Sequence, residues 1–419
     1  MRNMAREMKL NVIDYQFPRG GAERFLLGVF DHLPEDVTVT VTTAGVALEG
    51  YRELIAQAKR PIGLAEQPVL MHQSALVSGN DAVLSGPQIY DLPAGLWADA
   101  DLVWCPWVNR HLIPRECYSR TVATIHDMII VELGEFMAQK REPVGRVGHF
   151  YAMAMEDMLA RRLLGTLAKV IVDTERTRDH LARAYGPLTR LPEVVPLSTE
   201  HVRAVAPQPV DHLGLPERFV VYPANYSSHK NHEALLLALA KVKEQRPDAF
   251  LPLVMTGGNT TLIQTGPDYR SAYLKALVEH LGLRFGVDLF PFGVVTDGQF
   301  RSVLGQADGL VFPTLLEGFG FPPLEAGILG VPVALSDIPV LRETMGRLGV
   351  PGLWFNPGSP DEIAAALIRL ATEQPGLRTA AAAAAAEVSD ITWAEVSGRY
   401  LQAFRDQVMV ASMYANYGG

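Results

Sequence analysis

Residues 308–327 run Asp308-Gly-Leu-Val-Phe-Pro-Thr-Leu-Leu-Glu317-Gly-Phe-Gly-Phe-Pro-Pro-Leu-Glu325-Ala-Gly, and they predict a strand, a tight loop and a helix in immediate succession. Gly318 and Gly320 permit backbone conformations that are closed to other residues. Pro322 or Pro323 suits the first helical turn, where the missing N–H of proline costs nothing. We therefore expect the helix to begin near Pro322.

The start of this helix is a predicted anion site. Its free backbone N–H groups and the positive end of its dipole point beyond the carboxyl end of the strand, where open parallel sheets bind ligands. The expected occupant is a diphosphate. Glu317 and Glu325 frame the helix start, and carboxylates accept hydrogen bonds from paired hydroxyls, so one can hold a sugar and the other a ribose. Taken singly, each glutamate also has a simpler interpretation. Glu325 would only complement the helix dipole, and Glu317 would be a solvated loop residue.

Short apolar runs alternate with helix-length segments elsewhere, which is the pattern of parallel sheets wrapped by helices. A proline-containing segment at 204–216 suits an exposed linker. We therefore predict domains at 1–210 and 211–395, followed by a helix and tail at 396–419. The predicted strands are Leu10–Tyr15, Val37–Val41, Leu102–Cys105, Thr121–Ile125 and Val170–Val172 in the first domain, and Phe219–Tyr222, Leu253–Thr256, Val287–Phe290, Leu310–Phe312 and Val333–Leu335 in the second.

Composition excludes several classes of protein. The 419 residues are 48% hydrophobic and 20% charged, as in globular proteins, and the formal charge of −9 argues against nucleic acid as a partner. Two cysteines are too few for a disulfide framework. We expect a cytoplasmic protein, because neither a secretory signal nor a long apolar run is present. Residues 147–169 fit a core-facing amphipathic helix, with weak peripheral contact with the inner face of the membrane as the alternative.

The stretch around Glu317 and Glu325 resembles the Glu-x7-Glu signature of the retaining glycosyltransferases of family 4, also called group 1 glycosyl transferases. The resemblance implies an α/β fold of GT-B architecture, with two Rossmann-like doubly wound parallel-sheet domains facing across a cleft. It assigns Glu317 to the donor sugar and Glu325 to the nucleotide ribose. The further matching motifs are Phe312-Pro313, Gly318-Phe319-Gly320, Pro323-Leu324-Glu325-Ala326, Gly330-Val-Pro332-Val and Ser336-Asp-Ile-Pro339 with Glu343. The loop residues Gly318, Phe319, Gly320 and Phe321 are expected to contact the donor.

Residues 222–232, Tyr-Pro-Ala-Asn-Tyr-Ser-Ser-His-Lys-Asn-His, are similar to the family's segment after the first strand of the C-terminal domain. There a lysine contacts the diphosphate, a role that falls on Lys230, and an ammonium would stabilise the charge on the leaving phosphates. The plainer alternative is a surface lysine. Many relatives place an arginine a few residues earlier, where this chain has 224–226, so phosphate binding is expected from Lys230, backbone N–H groups and Asn225 or Ser228.

Two sites near the N terminus extend the resemblance. Gly20 and Gly21 follow the first strand and are similar to the family's glycine loop, which lies close to the donor phosphates. His126 and Asp127 follow a predicted strand and resemble the family's His-Asp pair, whose histidine lies at the reacting sugar. A lone histidine is more often structural, but one at the carboxyl end of a strand faces the ligand side of a parallel sheet. The last helix of the family commonly crosses back onto the N-terminal domain.

The resemblance implies transfer, with retention at the anomeric carbon, from a nucleoside diphosphate sugar to a hydroxyl of a glycan or lipid-linked glycan. GDP-mannose is the first expectation for the donor, followed by UDP-sugars, and bacterial surface polysaccharide synthesis is the expected setting. Asp99-Ala-Asp101 has the spacing of the metal-binding Asp-x-Asp motif of the other large glycosyltransferase architecture, but it precedes a strand, whereas that metal site follows one. We therefore predict no cofactor and no essential metal. An oxidoreductase would need the Gly-x-Gly-x-x-Gly motif that is missing here. A sugar-nucleotide epimerase, a phosphorylase or a non-catalytic sugar-binding protein stays open.

Overall fold

The structure, a computed structural model, describes residues 7–15, 21–45, 47–67, 70–72, 89–107, 111–140 and 143–416. The chain forms two compact units. The first holds the residues up to Gly134, Pro143–Ser198 and the segment from Ile391 onward, and the second holds Glu135–Glu142 and Thr199–Asp390. Apart from the short segment Glu135–Glu142, the chain changes unit after Ser198 and after Asp390, while the sequence prediction sets the borders at 210 and 395.

The strands are short, and those in the two large sheets are mostly buried, as expected for sheets covered on both faces. In chain order they are β1 Met8–Ile13, β2 Val37–Thr43, β3 Gly63–Glu66, β4 Leu70–His72, β5 Ile89–Asp91, β6 Leu102–Cys105, β7 His111–Leu112, β8 Thr121–Ile125, β9 Lys169–Val172, β10 Glu193–Val194, β11 Val220–Pro223, β12 Leu253–Thr256, β13 Leu289–Gly293, β14 Gly309–Phe312, β15 Val333–Ser336 and β16 Leu353–Phe355.

Helices connect most of these strands, which is what parallel pairing requires. In chain order they are α1 Gly21–Phe30, α2 Ala47–Gln57, α3 Ile129–Glu132, α4 Gly134–Gln139, α5 Pro143–Leu164, α6 Glu175–Tyr185, α7 His201–Ala204, α8 His232–Gln245, α9 Leu262–Thr265, α10 Tyr269–His280, α11 Asp297–Gln306, α12 Phe321–Ile328, α13 Pro339–Leu348, α14 Pro360–Thr372, α15 Gln374–Glu387 and α16 Trp393–Asn416.

The first unit is built on a parallel sheet with the strand order β10-β9-β8-β6-β1-β2-β3. The chain runs outward from β1 through β2 to β3 and then returns to β6 on the other side of β1. This reversal is the topological switch point, at which doubly wound sheets bind ligands. A small separate sheet has the order β4-β5-β7.

The second unit repeats this plan with the order β13-β12-β11-β14-β15-β16, and all its strand pairs are parallel. Here β11 and β14 are neighbours, with Val220 opposite Gly309 and Val221 opposite Leu310. The chain leaves β11 toward β12 and β13 and returns to β14 on the other side. The segments that follow β11 and β14 therefore emerge side by side at the switch point.

Helix α16 supplies part of the core of the first unit. Tyr400 and Phe404 are fully buried, and their rings lie 5.2 Å and 5.4 Å from the ring of Trp104 on β6. The hydroxyl of Ser397 donates a hydrogen bond to the carbonyl of Val29, with 2.8 Å between the oxygens. A Cβ added to Gly28 would lie 2.3 Å from the Trp393 ring, so only glycine fits beneath that indole. Helices α1 and α16 are thereby fixed against each other.

Residues 199–210 are attached to the second unit by hydrogen bonds from α11. One guanidinium nitrogen of Arg301 donates to the carbonyls of Val202 and Val205, at 2.9 Å and 2.6 Å. The backbone N–H of Gln208 donates to the carbonyl of Gly298 at 3.0 Å. These bonds explain why the chain enters the second unit before the proline-containing segment that was expected to be an exposed linker.

The predicted core strands are present, with their ends shifted by a few residues. One start was wrong: Val287 was assigned to a strand, but it is 46% exposed and β13 begins at Leu289. The edge strands β3, β10 and β16 were not predicted from the sequence. Helix α15 contains the alanine run at 380–386, in keeping with the high helix propensity of alanine.

Helix α5 covers most of the segment proposed as an amphipathic helix. Leu159, Leu163 and Leu164 are buried, as the core-facing interpretation expects, while Phe150 and Met158 are 44% and 41% exposed. Among the helices in the described ranges, none has both the length and the apolar content needed to cross a bilayer.

Candidate functional site

Two loops meet at the switch point of the second unit, one after β11 and one after β14. The hydroxyl of Tyr222, at the end of β11, donates to the carbonyl of Lys230 at 2.5 Å. The backbone N–H of Leu315, in the loop after β14, donates to the carbonyl of His229 at 2.8 Å. These bonds hold the lysine loop against the glutamate loop, so the topology itself brings the two predicted motifs together.

Lys230 and Glu317 form an ion pair where these loops meet. The Lys230 Nζ lies 2.6 Å from Glu317 Oε1, and the two side chains are only 12% and 10% exposed. The same ammonium lies 5.2 Å from the centre of the Phe312 ring. Lys230 is therefore a largely buried cation, and the surface-lysine alternative is wrong for this side chain.

Asn231 fixes the backbone just after the lysine. It adopts a left-handed conformation with φ of 64°, which asparagine tolerates better than most residues. Its amide nitrogen donates to the carbonyls of Pro313 and Pro357, at 3.0 Å and 2.7 Å. Helix α8 begins at the next residue, His232. The position of Lys230 is thus set by a buried side chain that links three segments of the second unit.

His229 is buried beside this ion pair and is neutral near neutral pH. Burial, and next the positive charge of Lys230, lower the pKa of the His229 imidazole to about 4. The histidine consequently adds no competing positive charge at physiological pH. Of the two adjacent residues His229 and Lys230, it is therefore Lys230 whose positive charge can counter the charge of an anionic ligand.

The glutamate loop leads into α12, whose start depends on glycine. Gly320 has φ of 86°, and a Cβ at this position would lie 2.5 Å from Leu341 Cδ2. Both its backbone conformation and the space beside it therefore exclude other residues. Helix α12 begins at Phe321, one residue before the expected Pro322, and Gly318 and Phe319 are buried in the preceding loop. The rings of Phe319 and Phe321 lie 5.0 Å apart.

Glu325 lies in the second turn of α12 and is 4% exposed. Its Oε1 lies 3.2 Å from Nε2 of His201, a residue of α7 that the sequence analysis did not identify. The two residues are 124 positions apart, and no local motif connects them. Glu317 is also buried, which contradicts the alternative of a solvated loop residue, whereas the dipole-complementing alternative for Glu325 stays open.

The segment at 224–226, where many relatives have an arginine, lies near an arginine from another helix. The guanidinium of Arg270, on α10, donates to the carbonyl of Tyr226 at 3.3 Å and to Glu233 Oε1 at 3.1 Å. It also lies 5.4 Å from the centre of the Tyr226 ring. Arg270 is 9% exposed and paired with Glu233, so it braces the segment that carries Lys230.

Asn225 and Ser228, the predicted helpers of Lys230, shape the same segment. Asn225 Oδ1 accepts a hydrogen bond from the backbone N–H of Ser227 at 3.1 Å, and Asn225 itself is exposed. Ser228 is buried and opens a short 3₁₀ turn, and its carbonyl accepts from the backbone N–H of Asn231 at 3.0 Å. Their proposed phosphate contacts stay predictions.

In the first unit, both ring nitrogens of His126 face protein acceptors. The Nδ1 lies 2.7 Å from Asp173 Oδ2, and the Nε2 lies 3.0 Å from the carbonyl of Pro106. Burial disfavours the charged ring, but Asp173, Asp127 and the Pro106 carbonyl outweigh burial and raise the pKa of His126 above 6.5. These acceptors therefore favour the imidazolium, which donates from both nitrogens, more than water would.

Asp127 and the glycines Gly20 and Gly21 are the other residues of the first unit in motifs that resemble those of the family. Asp127 Oδ1 accepts a hydrogen bond from the backbone N–H of Ile129 at 3.0 Å, at the start of α3. Gly21 is the first residue of α1, and Gly20 lies outside the described residues. The Phe25 ring on α1 lies 5.0 Å from the His126 ring, nearly perpendicular to it. Helix α1 and the His126 segment are thus adjacent within the first unit.

The charged form of His126 predicts a pH-dependent stability. Because its pKa is raised on folding, the His126–Asp173 pair stabilises the fold below about pH 6.5 and loses that contribution as pH rises through the raised pKa. In Asp173→Asn the negatively charged partner is lost, and burial then lowers the pKa of His126. The decline in stability with rising pH should therefore vanish. Urea unfolding followed by tryptophan fluorescence from about pH 6 to pH 9 measures the difference.

The double variant His126→Gln with Asp173→Asn is the matched control, since it has no imidazole to titrate at this place. The decline in stability with rising pH that we expect in the wild type should be absent from it as well. Parallel pH profiles for the wild type and Asp173→Asn would contradict the assignment of a charged His126.

Within the described ranges, no group of three or more His, Cys, Asp or Glu side chains is placed to hold a metal ion. The backbone N–H of Lys9 donates to Asp101 Oδ2 at 2.9 Å, so this carboxylate accepts a hydrogen bond that joins two segments of the first unit. The expectation that no metal and no cofactor is essential stays a prediction.

A family model matches most of the second unit. Residues 211–388 match the family model described as glycosyl transferases group 1, and the resemblance seen in the Glu317–Glu325 stretch is thereby confirmed. Serotype-specific mannosyltransferase WbdA of Escherichia coli is 24% identical over 295 residues, which are 68% of this chain and 33% of that protein. O-antigen chain mannosyltransferase B of Escherichia coli is 23% identical, over 68% of this chain and 70% of that protein. The chain spans about a third of the length of the first of these relatives.

A solved structure has the same fold over nearly the whole chain. Anabaena HepE in complex with UDP and glucose superposes with a TM-score of 0.60 at 18% identity, over 98% of this chain and 99% of that one. Identity at this level supports a statement about fold alone. The predicted fold class, α/β with two Rossmann-like units of GT-B type, is confirmed.

Proposed function

Since residues 211–388 match the group 1 glycosyl transferases, we propose that this chain is a retaining glycosyltransferase that moves a sugar from a nucleoside diphosphate sugar to a hydroxyl group. The observation that carries the proposal is the buried Lys230–Glu317 pair, 2.6 Å from nitrogen to oxygen, at the switch point of a doubly wound sheet. A buried cation and a buried carboxylate side by side suit a ligand that joins phosphates to sugar hydroxyls.

The donor is proposed to lie along the start of α12. Its diphosphate would accept hydrogen bonds from the backbone N–H groups of the glycine-containing loop before α12 and of Phe321, since Pro322 and Pro323 have no N–H. It would also accept one from Lys230, which would exchange Glu317 for a phosphate oxygen. Glu317, released from the lysine, would accept hydrogen bonds from the sugar hydroxyls. Glu325 would accept from the ribose hydroxyls, and the loop residues Gly318 to Phe321 would pack against the donor.

Transfer is proposed to occur on one face of the sugar. The bond from the anomeric carbon to the phosphate oxygen breaks, the acceptor hydroxyl oxygen bonds to the same face, and its proton passes to the leaving phosphate. Lys230 stabilises the negative charge that grows on that phosphate. His126 is assigned to orienting the sugar, which requires its Nε2 to exchange the Pro106 carbonyl for a sugar hydroxyl.

GDP-mannose is proposed as the donor, with UDP-sugars next. Two relatives are mannosyltransferases, one of them named for the O-antigen chain, and HepE was solved with UDP and glucose. A glycan or lipid-linked glycan of a bacterial surface polysaccharide is the proposed acceptor. The cytoplasmic location and the weak contact with the inner face of the membrane belong to the same proposal.

Thermal unfolding with GDP, UDP and dTDP tests the nucleotide site. A ligand that binds only the folded protein raises the midpoint of unfolding, and at a hundredfold excess over its Kd it adds about 2.7 kcal/mol of stability. We expect one nucleotide to raise the midpoint most, and Glu325→Ala to remove most of that rise. The exposed Glu373→Ala, which breaks only a surface pair with Arg369, should leave the rise unchanged.

Incubation of the matching nucleotide sugar with candidate acceptors tests the reaction, with the anomeric configuration of the product read by NMR. Retention supports the same-face mechanism, and an inverted linkage rules it out. Epimerised donor, or phosphorolysis, would favour the alternative enzymes of this fold. Donor binding without any product would favour a sugar-binding protein.

A further inference from the structure

We infer that His201 is a positioning residue for Glu325 and so sets the preference of the donor site for ribose over deoxyribose. The inference rests on the proposed function, because it assigns the nucleotide ribose to Glu325. His201 approaches from α7, at the point where the chain enters the second unit, and its Nε2 lies 3.2 Å from Glu325 Oε1. The side chains are 16% and 6% exposed, so the contact is shielded from water.

The geometry specifies which atom of the histidine donates. A carboxylate oxygen is an acceptor, so the hydrogen on Nε2 must point at Glu325. Within the described part of the chain, His201 Nδ1 is buried without a hydrogen-bond partner. The ring therefore acts on Glu325 through Nε2, and the Phe321 ring, 6.1 Å away and roughly perpendicular, limits its movement.

The helix that carries His201 is itself held in place. On one side, the backbone N–H of Thr199 donates to Asp390 Oδ2 at 2.7 Å. On the other side, Arg301 donates to the carbonyls of Val202 and Val205. A short helix fixed at both ends presents the imidazole from a constant position, as expected of a group that orients another side chain.

Orientation of the carboxylate matters because a ribose diol needs an acceptor in a fixed position. A hydrogen bond from His201 to one oxygen stops rotation of the carboxylate before the nucleotide arrives. Less ordering is then required on binding, and preorganisation of this kind increases affinity. The gain applies only to ligands whose hydroxyls reach Glu325, so it should appear as a preference for ribose.

Calorimetric titration of the full chain with GDP and UDP, and with their 2′,3′-dideoxy counterparts, separates this role from a general effect on the fold. His201→Ala should weaken binding of the preferred ribonucleotide by about tenfold and leave the dideoxy form within about twofold. His201→Gln should restore the preference, because its amide nitrogen reaches the place of Nε2. His201→Asn should not restore the preference, because the amide nitrogen of the shorter asparagine side chain lies near the position of Nδ1 and does not reach Glu325.

Glu325→Ala, alone and combined with His201→Ala, completes the test. The single variant should abolish the ribose preference, and the second substitution should add nothing. An unchanged preference in His201→Ala, or an equal loss for both forms of the nucleotide, would overturn the role of His201 while leaving the proposed function intact. Failure of the wild type to bind either ribonucleotide would overturn the proposed function and this inference together.

Discussion

Replacing Lys230 with alanine is expected to lower the rate of sugar transfer by about a hundredfold to a thousandfold, the usual effect of removing one group that stabilises transition-state charge. Lys230 is the cation buried at the junction of the β11 and β14 loops, and the neighbouring His229, with a pKa of about 4, cannot take its place. The turnover rate with saturating donor and acceptor measures the loss. Lys230→Arg should recover part of the rate, because the charge is kept and the geometry is altered.

Lys241 on α8 provides the matched control for Lys230. It also pairs with a carboxylate, Asp361, but it is 37% exposed and its partner 78% exposed. Lys241→Ala should leave the turnover rate unchanged within about twofold, since exposed pairs contribute little. Equal losses for the two lysine variants, or full activity in Lys230→Ala, would contradict the assignment of Lys230 to the leaving phosphates.

The largest effect on stability is expected from Phe404→Ala. The Phe404 side chain is fully buried between Trp104 and Tyr400, with ring centres 5.4 Å and 5.9 Å away. Truncating a buried phenylalanine to alanine typically costs about 3–5 kcal/mol, because apolar contacts are lost and a cavity is left. Urea unfolding followed by tryptophan fluorescence should show this loss in the first unit.

Met409, on the same helix and 59% exposed, provides the control for Phe404. Met409→Ala should change the free energy of unfolding by less than about 0.5 kcal/mol. The rise in unfolding midpoint produced by nucleotide should persist in both variants, because the proposed nucleotide site belongs to the second unit. A cost below about 1 kcal/mol for Phe404→Ala would show that α16 is not an integral part of the first core.

Central parts of the fold could be predicted because their signals are local. β6, β8 and β12 match their predicted ranges, since continuous apolar runs between polar segments are typical of buried parallel strands. The start of α12 was predicted within one residue, because glycine and proline restrict the backbone there. Edge strands such as β10, with two residues, have no comparable pattern and were missed.

The candidate site was predictable only where its residues belong to short motifs. Lys230 and Glu317 were found in separate motifs, and the pairing of β11 with β14 brings them together. His201 and Arg270 could not be found in this way. Each contacts the site from a helix that is distant in sequence. A contact between residues 124 positions apart, such as His201 and Glu325, produces no local motif that a single sequence could reveal. The chain enters the second unit before the predicted border at 210, and the hydrogen bonds of Arg301 that hold this segment have no sequence pattern.

The division of the chain into units determines the order in which they can be completed during synthesis. The first unit includes the segment from Ile391 onward, with the buried Tyr400 and Phe404, whereas the second unit ends at Asp390. Domains generally fold as units while the ribosome is still translating. We therefore expect the nascent second unit to be able to complete its fold first, although its main segment is made later. The core of the first unit is complete only once α16 has been synthesised.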